Sequence, residues 1–244
     1  MPMSFLSVKV DYIAAVRNIG KLKEPAPTQA AVLAELAGAD GITCHLREDR
    51  LYTRDRDFYI LKEIIKGRFT LQIAPDEELL ERAVEVKPDM VTLMPFAGDE
   101  AMFSKGIDPD KDADRYAEAA ASLGETGIKV CYFVDPESEA VKDAARAKTD
   151  AVELNLYDYV KAGTDEDIES ELNRIEQMAQ LARKLGMKVI GANRLNYRNI
   201  RPLVELGVFD GFTVGYAVIS RAMMVGIDRA VRDMLELINR SGED

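Results

Sequence analysis

Short apolar runs alternate with longer amphipathic segments along the whole chain. The apolar runs have the length of buried strands, and the longer segments repeat apolar residues with helical spacing. The pattern predicts strands at Phe5–Val10, Gly41–His45, Phe69–Ile73, Met90–Met94, Lys129–Val134, Ala151–Leu154, Lys188–Gly191 and Gly211–Val214. It predicts helices at Thr28–Ala37, Arg56–Ile65, Glu77–Val86, Asp112–Leu123, Glu137–Ala147, Ile168–Leu185, Tyr197–Leu206 and Val218–Asn239.

Eight strand-then-helix units in one chain are typical of a closed parallel barrel with an outer ring of helices. Glycines at Gly38, Gly127 and Gly186 follow predicted helices, where they favour left-handed C-caps. The sequence therefore predicts an α/β fold, a single-domain (β/α)8 TIM barrel that spans residues 1–244.

The longest irregular stretch, Gly98–Asp114, follows the fourth predicted strand. In such barrels this is the face that carries the active site, so the stretch is interpreted either as a lid over the mouth or as an ordinary exposed loop.

Composition narrows the function classes. The chain is 47% hydrophobic and 31% charged, which is ordinary for a globular domain, and its net charge of −11 disfavours nucleic acid or an anionic membrane as a partner. Cys44 and Cys131 lie in predicted strands, which indicates buried, reduced thiols. With no signal-peptide pattern and no apolar run of about 18 residues, we expect no membrane partner and a cytoplasmic location.

Polar side chains gather at the carboxyl ends of the predicted strands, where a barrel opens to its mouth. Alternation along a strand puts Lys9 in phase with Asp11, and Thr43 in phase with His45 and Arg47. The other polar or rim positions are Gln72, Glu153, Asn155, Asn193, Arg194, Gly215 and Tyr216. Their convergence predicts a site for a small-molecule substrate.

The block from Ala37 to Arg50, which contains the run His45-Leu46-Arg47-Glu48-Asp49-Arg50, resembles the pyridoxine 5'-phosphate synthase family. The resemblance covers nearly the whole chain and includes Asp11, Arg17-Asn18, Pro25, Pro27, Gln29-Ala30-Ala31, Asp55-Arg56-Asp57, Glu153, Leu195, Tyr197, Asn199, Gly215, Ala217, Ile219 and Arg221-Ala222. It implies a TIM barrel, a transferase activity related to vitamin B6 biosynthesis, and a homo-oligomer.

The chain departs from the family pattern at positions where the resemblance implies titratable groups. Tyr12, Tyr52, Asn155, Asn193 and Tyr216 replace histidines, and Gln72 replaces a glutamate used as a general acid/base. Amides form hydrogen bonds but do not exchange protons near neutral pH. Ala192 and Arg194 replace the glycines beside Asn193, which removes a backbone cradle for phosphate. The departures predict a divergent active site that is inefficient in the family reaction.

Four residues are candidates for catalysis: Lys9, Asp11, His45 and Glu153. Burial lowers the pKa of a lysine, so Lys9 is interpreted as a Schiff-base nucleophile toward a carbonyl. The alternative is a structural ion pair of Lys9 with Asp11 or Glu153. For His45, the alternatives are function at the mouth and structural hydrogen bonding.

The residues expected to bind substrate are Arg47, Tyr12, Tyr52, Gln72, Asn155, Asn193, Arg194, Gly215 and Tyr216. The tyrosines at positions 12, 52, 157, 159 and 216 either line a flat ligand or fill the core. The charged residues from Glu48 to Asp57 are expected to form a network that orders their loop.

No metal-ligand spacing and no nucleotide phosphate loop stand out, so no metal and no cofactor are expected. Surplus apolar positions on Ile168–Leu185 and Val218–Asn239 leave room for a homo-oligomer.

Three functions stay open. The first is a divergent enzyme of condensation or cyclisation, of transferase or lyase type, acting on a small carbonyl-, amine- or phosphate-bearing metabolite. The second is a genuine pyridoxine 5'-phosphate synthase with rearranged catalytic groups. The third is a non-catalytic ligand-binding or assembly subunit that keeps the barrel, since fold alone does not decide function.

Overall fold

The computed structural model describes residues 4–96 and 103–239. Eight parallel strands close into a barrel in chain order, and β1 pairs with both β2 and β8. The strands are β1 Phe5–Lys9, β2 Gly41–His45, β3 Arg68–Ile73, β4 Met90–Leu93, β5 Lys129–Val134, β6 Ala151–Asn155, β7 Lys188–Ala192 and β8 Gly211–Val214. The predicted (β/α)8 TIM barrel is confirmed.

Helices surround the barrel. They are α1 Asp11–Gly20, α2 Pro27–Leu36, α3 Asp55–Ile64, α4 Glu77–Val86, α5 Ala113–Glu125, α6 Ser138–Arg146, α7 Tyr157–Lys161, α8 Asp165–Lys184, α9 Ile200–Glu205, α10 Tyr216–Val225 and α11 Ile227–Asn239. The sequence pattern missed α1 and α7. The predicted helix Val218–Asn239 was wrong as a single unit, because Gly226 adopts a φ of 82° and separates α10 from α11.

Alternation along each strand divides the buried residues into two layers. Leu6, Val8 and Ile42 are fully buried in the large cluster between strands and helices, which is the main hydrophobic core. On the other side of the strands the barrel interior is partly polar, and the hydroxyls of Ser7 and Thr43 lie 2.7 Å apart there. The stabilising core therefore lies outside the barrel, and the interior is free to carry polar groups.

Four aspartates make the same contact at the start of every second strand. Each accepts a hydrogen bond from the backbone N–H of a residue on the preceding strand and donates its own N–H to the carbonyl oxygen of that residue. The pairs are Asp40 with Leu6, Asp89 with Phe69, Asp150 with Val130 and Asp210 with Val189. Each pair fixes the alignment of two neighbouring strands.

Predicted local signals appear at the helix ends. Gly38, Gly127 and Gly186 have φ angles of 108°, 83° and 88°, as expected for left-handed C-caps. Asp76 caps α4 by accepting from the backbone N–H groups of Glu78 and Leu79. None of the helices within residues 4–96 and 103–239 is both long enough and apolar enough to cross a membrane.

Candidate active site at the mouth of the barrel

A pocket opens at the carboxyl ends of the strands and is continuous with solvent. It brings together most of the residues predicted from the sequence: Lys9, Asp11, Tyr12, His45, Arg47, Tyr52, Gln72, Glu153, Asn193, Arg194, Gly215 and Tyr216. Asn155 ends β6 but does not line this pocket. The convergence expected from strand-end positions is therefore present, with that one exception.

Lys9, Gln72 and Glu153 form a chain of contacts across the pocket. Nζ of Lys9 donates to Oε1 of Gln72 at 2.6 Å, and Nε2 of Gln72 donates to Oε2 of Glu153 at 2.9 Å. The amide thus turns its oxygen to the ammonium group and its nitrogen to the carboxylate. Gln72 stands between Lys9 and Glu153, so the alternative of a direct ion pair between these two residues is replaced by a hydrogen-bonded bridge.

Glu153 is 1% exposed, and its Oε1 atom has no hydrogen-bond partner within the described residues. Burial raises the pKa of this carboxyl group, and the positive charge of Lys9 offsets part of the rise. A raised pKa brings the uptake and release of a proton by this carboxyl group closer to neutral pH. Glu153 is therefore suited to give a proton to a group above it in the pocket.

Asp11 begins α1 directly after β1, and its side chain turns toward β2. Its Oδ1 atom accepts from the backbone N–H of His45 at 2.7 Å and from the hydroxyl of Thr53 at 2.8 Å, while Oδ2 lies 3.5 Å from Nζ of Lys9. Burial raises the pKa of Asp11, and Lys9 opposes that rise. The ion pair of Lys9 with Asp11, expected as the structural alternative, is present.

His45 is 7% exposed, and its ring centroid lies 5.4 Å from that of Phe103. Burial lowers the pKa of the imidazole well below its usual 6.5, and the charges of Lys9 and Arg47 lower it further. The imidazole is therefore neutral at pH 7, and one ring nitrogen can accept a proton.

The charged run around Arg47 forms a network, as predicted. Arg47 pairs with Asp49 through Nη2 and Oδ2 at 2.8 Å, and Arg50 pairs with Asp55 at 3.1 Å and with Glu78 at 2.8 Å. These pairs join the loop after β2 to α3 and α4. The loop that carries Tyr52 into the pocket is held by charge as well as by packing.

Three of the five tyrosines considered from the sequence meet at one side of the pocket. The ring of Tyr12 lies 6.1 Å from that of Tyr52 and 5.3 Å from that of Tyr216, the second pair in an edge-on arrangement. Tyr157 instead lies under the guanidinium of Arg194, and Tyr159 is buried with its hydroxyl donating to the carbonyl of Asn199. The five tyrosines therefore do not form one group: three line the pocket, and the other two lie elsewhere.

Two asparagines hold the segment that begins at Phe103. Nδ2 of Asn193 donates to the carbonyl of Phe103 at 2.8 Å and to Oδ1 of Asn155, and Nδ2 of Asn155 donates to the carbonyl of Ser104 at 3.2 Å. Part of the predicted lid Gly98–Asp114, namely residues 98–102, lies outside the described residues. Its described start contacts the mouth through Phe103, which lines the pocket.

The sequence pattern missed several pocket residues. Phe103, Phe133, Met94, Ala192, Leu195 and Thr213 also line the site. Thr213 could have been found, because it precedes Gly215 by two positions and shares its phase on β8. Phe103 carried no such signal, since it lies in an irregular stretch whose path the sequence does not reveal.

Metal-binding groups and reactive thiols were also sought in the described part of the chain. No group of three or more His, Cys, Asp or Glu side chains there is placed to hold a metal ion. Cys44 and Cys131 are buried free thiols, and burial raises the pKa of both. Neither cysteine lines the pocket.

The closed barrel and its polar mouth define a (β/α)8 barrel protein with a pocket at the carboxyl ends of the strands. Residues 6–240 match the family described as "Pyridoxal phosphate biosynthesis protein PdxJ". The chain belongs to this family, as its resemblance indicated.

Curated relatives support the same assignment. The chain is 40% identical over 239 residues to the pyridoxine 5'-phosphate synthase of Geotalea daltonii, covering 98% of this chain and 100% of the relative. It is 41% identical over 236 residues to the enzyme of that name from Geobacter metallireducens, covering 97% of this chain and 99% of the relative.

Solved structures of low sequence identity share the fold. Thiamine phosphate pyrophosphorylase from Pyrococcus furiosus superposes with a TM-score of 0.64 at 13% identity, covering 99% of this chain and 98% of the other. Phosphoribosyl anthranilate isomerase from Thermus thermophilus gives a TM-score of 0.60 at 15% identity, with coverage of 96% and 98%. At this identity the likeness concerns the barrel alone.

Proposed function

We propose that this protein is an enzyme that condenses or cyclises a small carbonyl-, amine- or phosphate-bearing metabolite at the mouth of its barrel. The observation that carries the proposal is the convergence of Lys9, Asp11, His45 and Glu153 around one pocket. An amine, two carboxyl groups with raised pKa values and a neutral imidazole supply a nucleophile, proton donors and a proton acceptor.

The first candidate reaction is the formation of pyridoxine 5'-phosphate. Support comes from relatives of that name, which match this chain over nearly its whole length at about 40% identity. The resemblance assigns Asp11, His45 and Glu153 to family positions, and these residues line one pocket together with Arg47. If this candidate is correct, Asp11, His45 and Glu153 carry the proton transfers that the resemblance assigns to a further glutamate and to additional histidines.

The second candidate reaction is a different condensation that uses Lys9 as a nucleophile. It is favoured by the amide of Gln72, which bonds Lys9 where the family pattern has a carboxyl group. Lys9 first gives a proton to Asp11, whose Oδ2 lies 3.5 Å away. The free amine adds to the substrate carbonyl, and a proton from its nitrogen passes to the carbonyl oxygen to give a neutral carbinolamine. Asp11 then returns its proton to that hydroxyl group, and water leaves as the protonated imine forms.

One experiment tests both candidates. The protein is assayed for pyridoxine 5'-phosphate formation, and in parallel it is incubated with a metabolite extract and borohydride, followed by peptide mapping at Lys9. Product formation at a rate typical of the family supports the first candidate. A reduced adduct on Lys9 that is absent from Lys9→Ala supports the second, and its mass gives the substrate class. If neither appears, the enzyme proposal is wrong and a binding or assembly role replaces it.

We also propose that two copies of the chain associate through the face formed by α1, α2 and α10. An apolar groove there is lined by Ile13, Val16, Leu33 and Met223, among others. Met224 is 82% exposed beside it, and apolar patches of this kind mark interaction sites. The cytoplasmic location stays a prediction from the sequence.

A further inference from the structure

Residues 103–107 lie across the carboxyl ends of neighbouring strands, and side chains at those ends hold their backbone. Nδ2 of Asn193, directly after β7, donates to the carbonyl oxygen of Phe103 at 2.8 Å. Nδ2 of Asn155, at the end of β6, donates to the carbonyl oxygen of the next residue at 3.2 Å. The segment is therefore attached to the barrel, although it forms neither a helix nor a strand.

The two asparagines are joined to each other and to the end of β5. Nδ2 of Asn193 also donates to Oδ1 of Asn155 at 2.8 Å, and Nδ2 of Asn155 also donates to Oδ1 of Asp135 at 2.7 Å. A primary amide carries two N–H donors on one nitrogen, whereas a neutral imidazole carries only one N–H. Asparagine is thus suited to these two positions, where the resemblance implies histidines, because each amide nitrogen serves two acceptors at once.

Gly106 allows the segment to approach β5 closely. Its backbone N–H donates to Oδ1 of Asp135 at 3.0 Å, and the N–H of Ile107 donates to the carbonyl of Phe133 at 2.8 Å. A Cβ atom at Gly106 would lie 2.5 Å from the backbone nitrogen of Asp135 and 2.6 Å from the carbonyl carbon of Val134. A larger residue would force the segment away from β5. Position 106 thus controls the segment, although Gly106 itself does not line the pocket.

The attached segment places the ring of Phe103 against His45. The two ring centroids lie 5.4 Å apart, and the phenyl ring also packs on a small apolar cluster that includes Phe133. The charged side chain of the segment, Lys105, pairs instead with Asp158 on α7, where Nζ and Oδ2 are 3.6 Å apart. An apolar ring therefore occupies space beside the imidazole that water would otherwise fill.

Burial is the main influence on the proton of His45. It is the largest cause of the lowered pKa of the imidazole, and the charges of Lys9 and Arg47 follow it. Asp11 accepts from the backbone N–H of His45, and the neighbouring position on β3 is the neutral Gln72. The ionisable side chains that line the pocket with His45 are Lys9, Asp11, Tyr12, Arg47, Tyr52, Glu153, Arg194 and Tyr216. Removing the apolar cover should consequently change the titration of His45 even when all these groups stay in place.

We propose that Asn155 and Asn193 are positioning residues for His45. By holding the backbone of residues 103–107, they keep the ring of Phe103 against the imidazole and exclude water from it. The proposal rests on the proposed enzyme only for the use of His45 as a proton acceptor in the reaction. The contact itself belongs to the folded protein without substrate, so it can be measured in that state.

The test measures the titration of His45 by NMR in the full chain without substrate. Asn155→Ala and Gly106→Ala release the segment from positions that do not line the pocket. Both are expected to move the pKa of His45 upward, toward 6.5, by about 0.5 unit or more, since complete burial can shift a pKa by about 3–5 units. Asn173→Ala and Gly124→Ala, at exposed positions on α8 and α5, are the matched controls and should leave the titration unchanged.

A double variant shows whether the asparagine acts through the ring. If it does, Asn155→Ala adds nothing once the ring is gone, and Asn155→Ala with Phe103→Ala titrates like Phe103→Ala alone. Where the product assay is positive, the acid limb of the pH profile of kcat/KM should move to higher pH in Asn155→Ala by the same amount as the NMR titration. A loss of stability alone would move neither the titration of the folded protein nor this limb.

Three results would overturn the inference: an unchanged titration in Asn155→Ala and Gly106→Ala, an unchanged titration in Phe103→Ala, or shifts that add up in the double variant. A variant without the NMR spectrum of a folded protein is replaced by Asn193→Gly, which removes the amide and tolerates the φ of 75° at this position. Failure of the proposed enzyme gives a different result, because the shift of His45 would persist while the product assay and the borohydride mapping both stayed negative.

Discussion

Oε1 of Gln72 accepts a hydrogen bond from Nζ of Lys9 at 2.6 Å. The same amide donates to Glu153, so its two ends satisfy a cation and a carboxylate at once. A glutamate at position 72 would place a second carboxylate against Glu153, and the repulsion would raise the pKa of one of the two. The amide therefore determines how protons can be shared in this pocket.

Restoring the family groups tests which reaction the present residues serve. Gln72→Glu together with Asn193→His is expected to raise the rate of pyridoxine 5'-phosphate formation, because each acid/base group contributes about 10²–10⁴-fold. The measurement is the steady-state rate of product formation. Gln180→Glu, an exposed change on α8, is the control. An unchanged rate in the double variant would show that the present groups already carry the reaction or that the pocket no longer accepts its substrates.

Glu153→Gln is expected to stabilise the protein by about 1–3 kcal/mol at pH 7, because it removes the cost of burying a charged carboxylate. The folded pKa of Glu153 lies above the unfolded value of 4.5, so the folded state binds the proton more tightly. The original protein therefore loses stability as the pH rises from 4.5 through the folded pKa, and Glu153→Gln does not.

Urea denaturation of both proteins between pH 4.5 and 8 measures this difference. Glu205→Gln, on the exposed end of α9, keeps Glu153 and serves as the control, so its stability should fall with rising pH as that of the original protein does. A Glu153→Gln variant that is less stable than the original protein throughout the range would mean that the carboxylate is well stabilised as it stands.

His45 is the one histidine in the chain, so a single imidazole signal reports on the pocket by NMR. We expect it to titrate below 6.5 and to move toward 6.5 in Phe103→Ala, because the ring that covers it is lost. The unfolded chain takes up this proton first, so acidification below pH 6.5 should destabilise the original protein more than the variant. Arg201→Gln should leave the titration unchanged, and an unshifted signal in Phe103→Ala would show that other groups bury the imidazole.

The buried pair of Arg17 and Asp57 is expected to be costly to break. Asp57→Asn should lower the free energy of unfolding by about 3–5 kcal/mol, because Arg17 would stay buried with an uncompensated charge. Glu205→Gln removes the partner of an exposed arginine on α9 and should cost under about 1 kcal/mol. Guanidinium denaturation compares the two, and equal losses would contradict the structural importance of the buried pair.

Placing a charged side chain on the apolar face formed by α1, α2 and α10 tests whether two copies of the chain associate through it. Met224→Glu is expected to shift the protein toward monomer, because a carboxylate would be buried against apolar groups of the second copy. Sedimentation velocity measures the distribution. Leu51→Glu, which changes an exposed leucine in the loop before α3, is the control. If the original protein is monomeric at the concentrations tested, the proposed interface is wrong.

The sequence predicted the barrel because eight apolar runs and the helices between them each have a clear period. It missed α1 because that helix begins at Asp11 directly after β1, and a strand that continues to Val10 leaves no visible boundary. Short α7 was missed for the same reason, since it starts two residues after Asn155. Periodicity does not resolve an element that begins where another has just ended.

The sequence predicted those pocket residues that lie at the carboxyl ends of strands. Lys9, His45 and Glu153 follow from alternation along their strands. The contact of Asn193 with the carbonyl of Phe103 joins residues that are 90 positions apart, and the bridging place of Gln72 depends on the arrangement of three strands. Such contacts depend on side-chain directions that no local pattern contains.

The aspartate contacts at Asp40, Asp89, Asp150 and Asp210 divide the barrel into four consecutive two-strand modules, each closed on itself by a pair of hydrogen bonds. Cutting the chain between modules would leave every one of these closures intact, whereas a cut within a module would separate an aspartate from its partner strand. Circular permutants that open between α3 and β3 should therefore assemble more readily than those that open between α2 and β2. The strand pair, rather than the single strand, is then the unit that a rearranged chain has to keep whole.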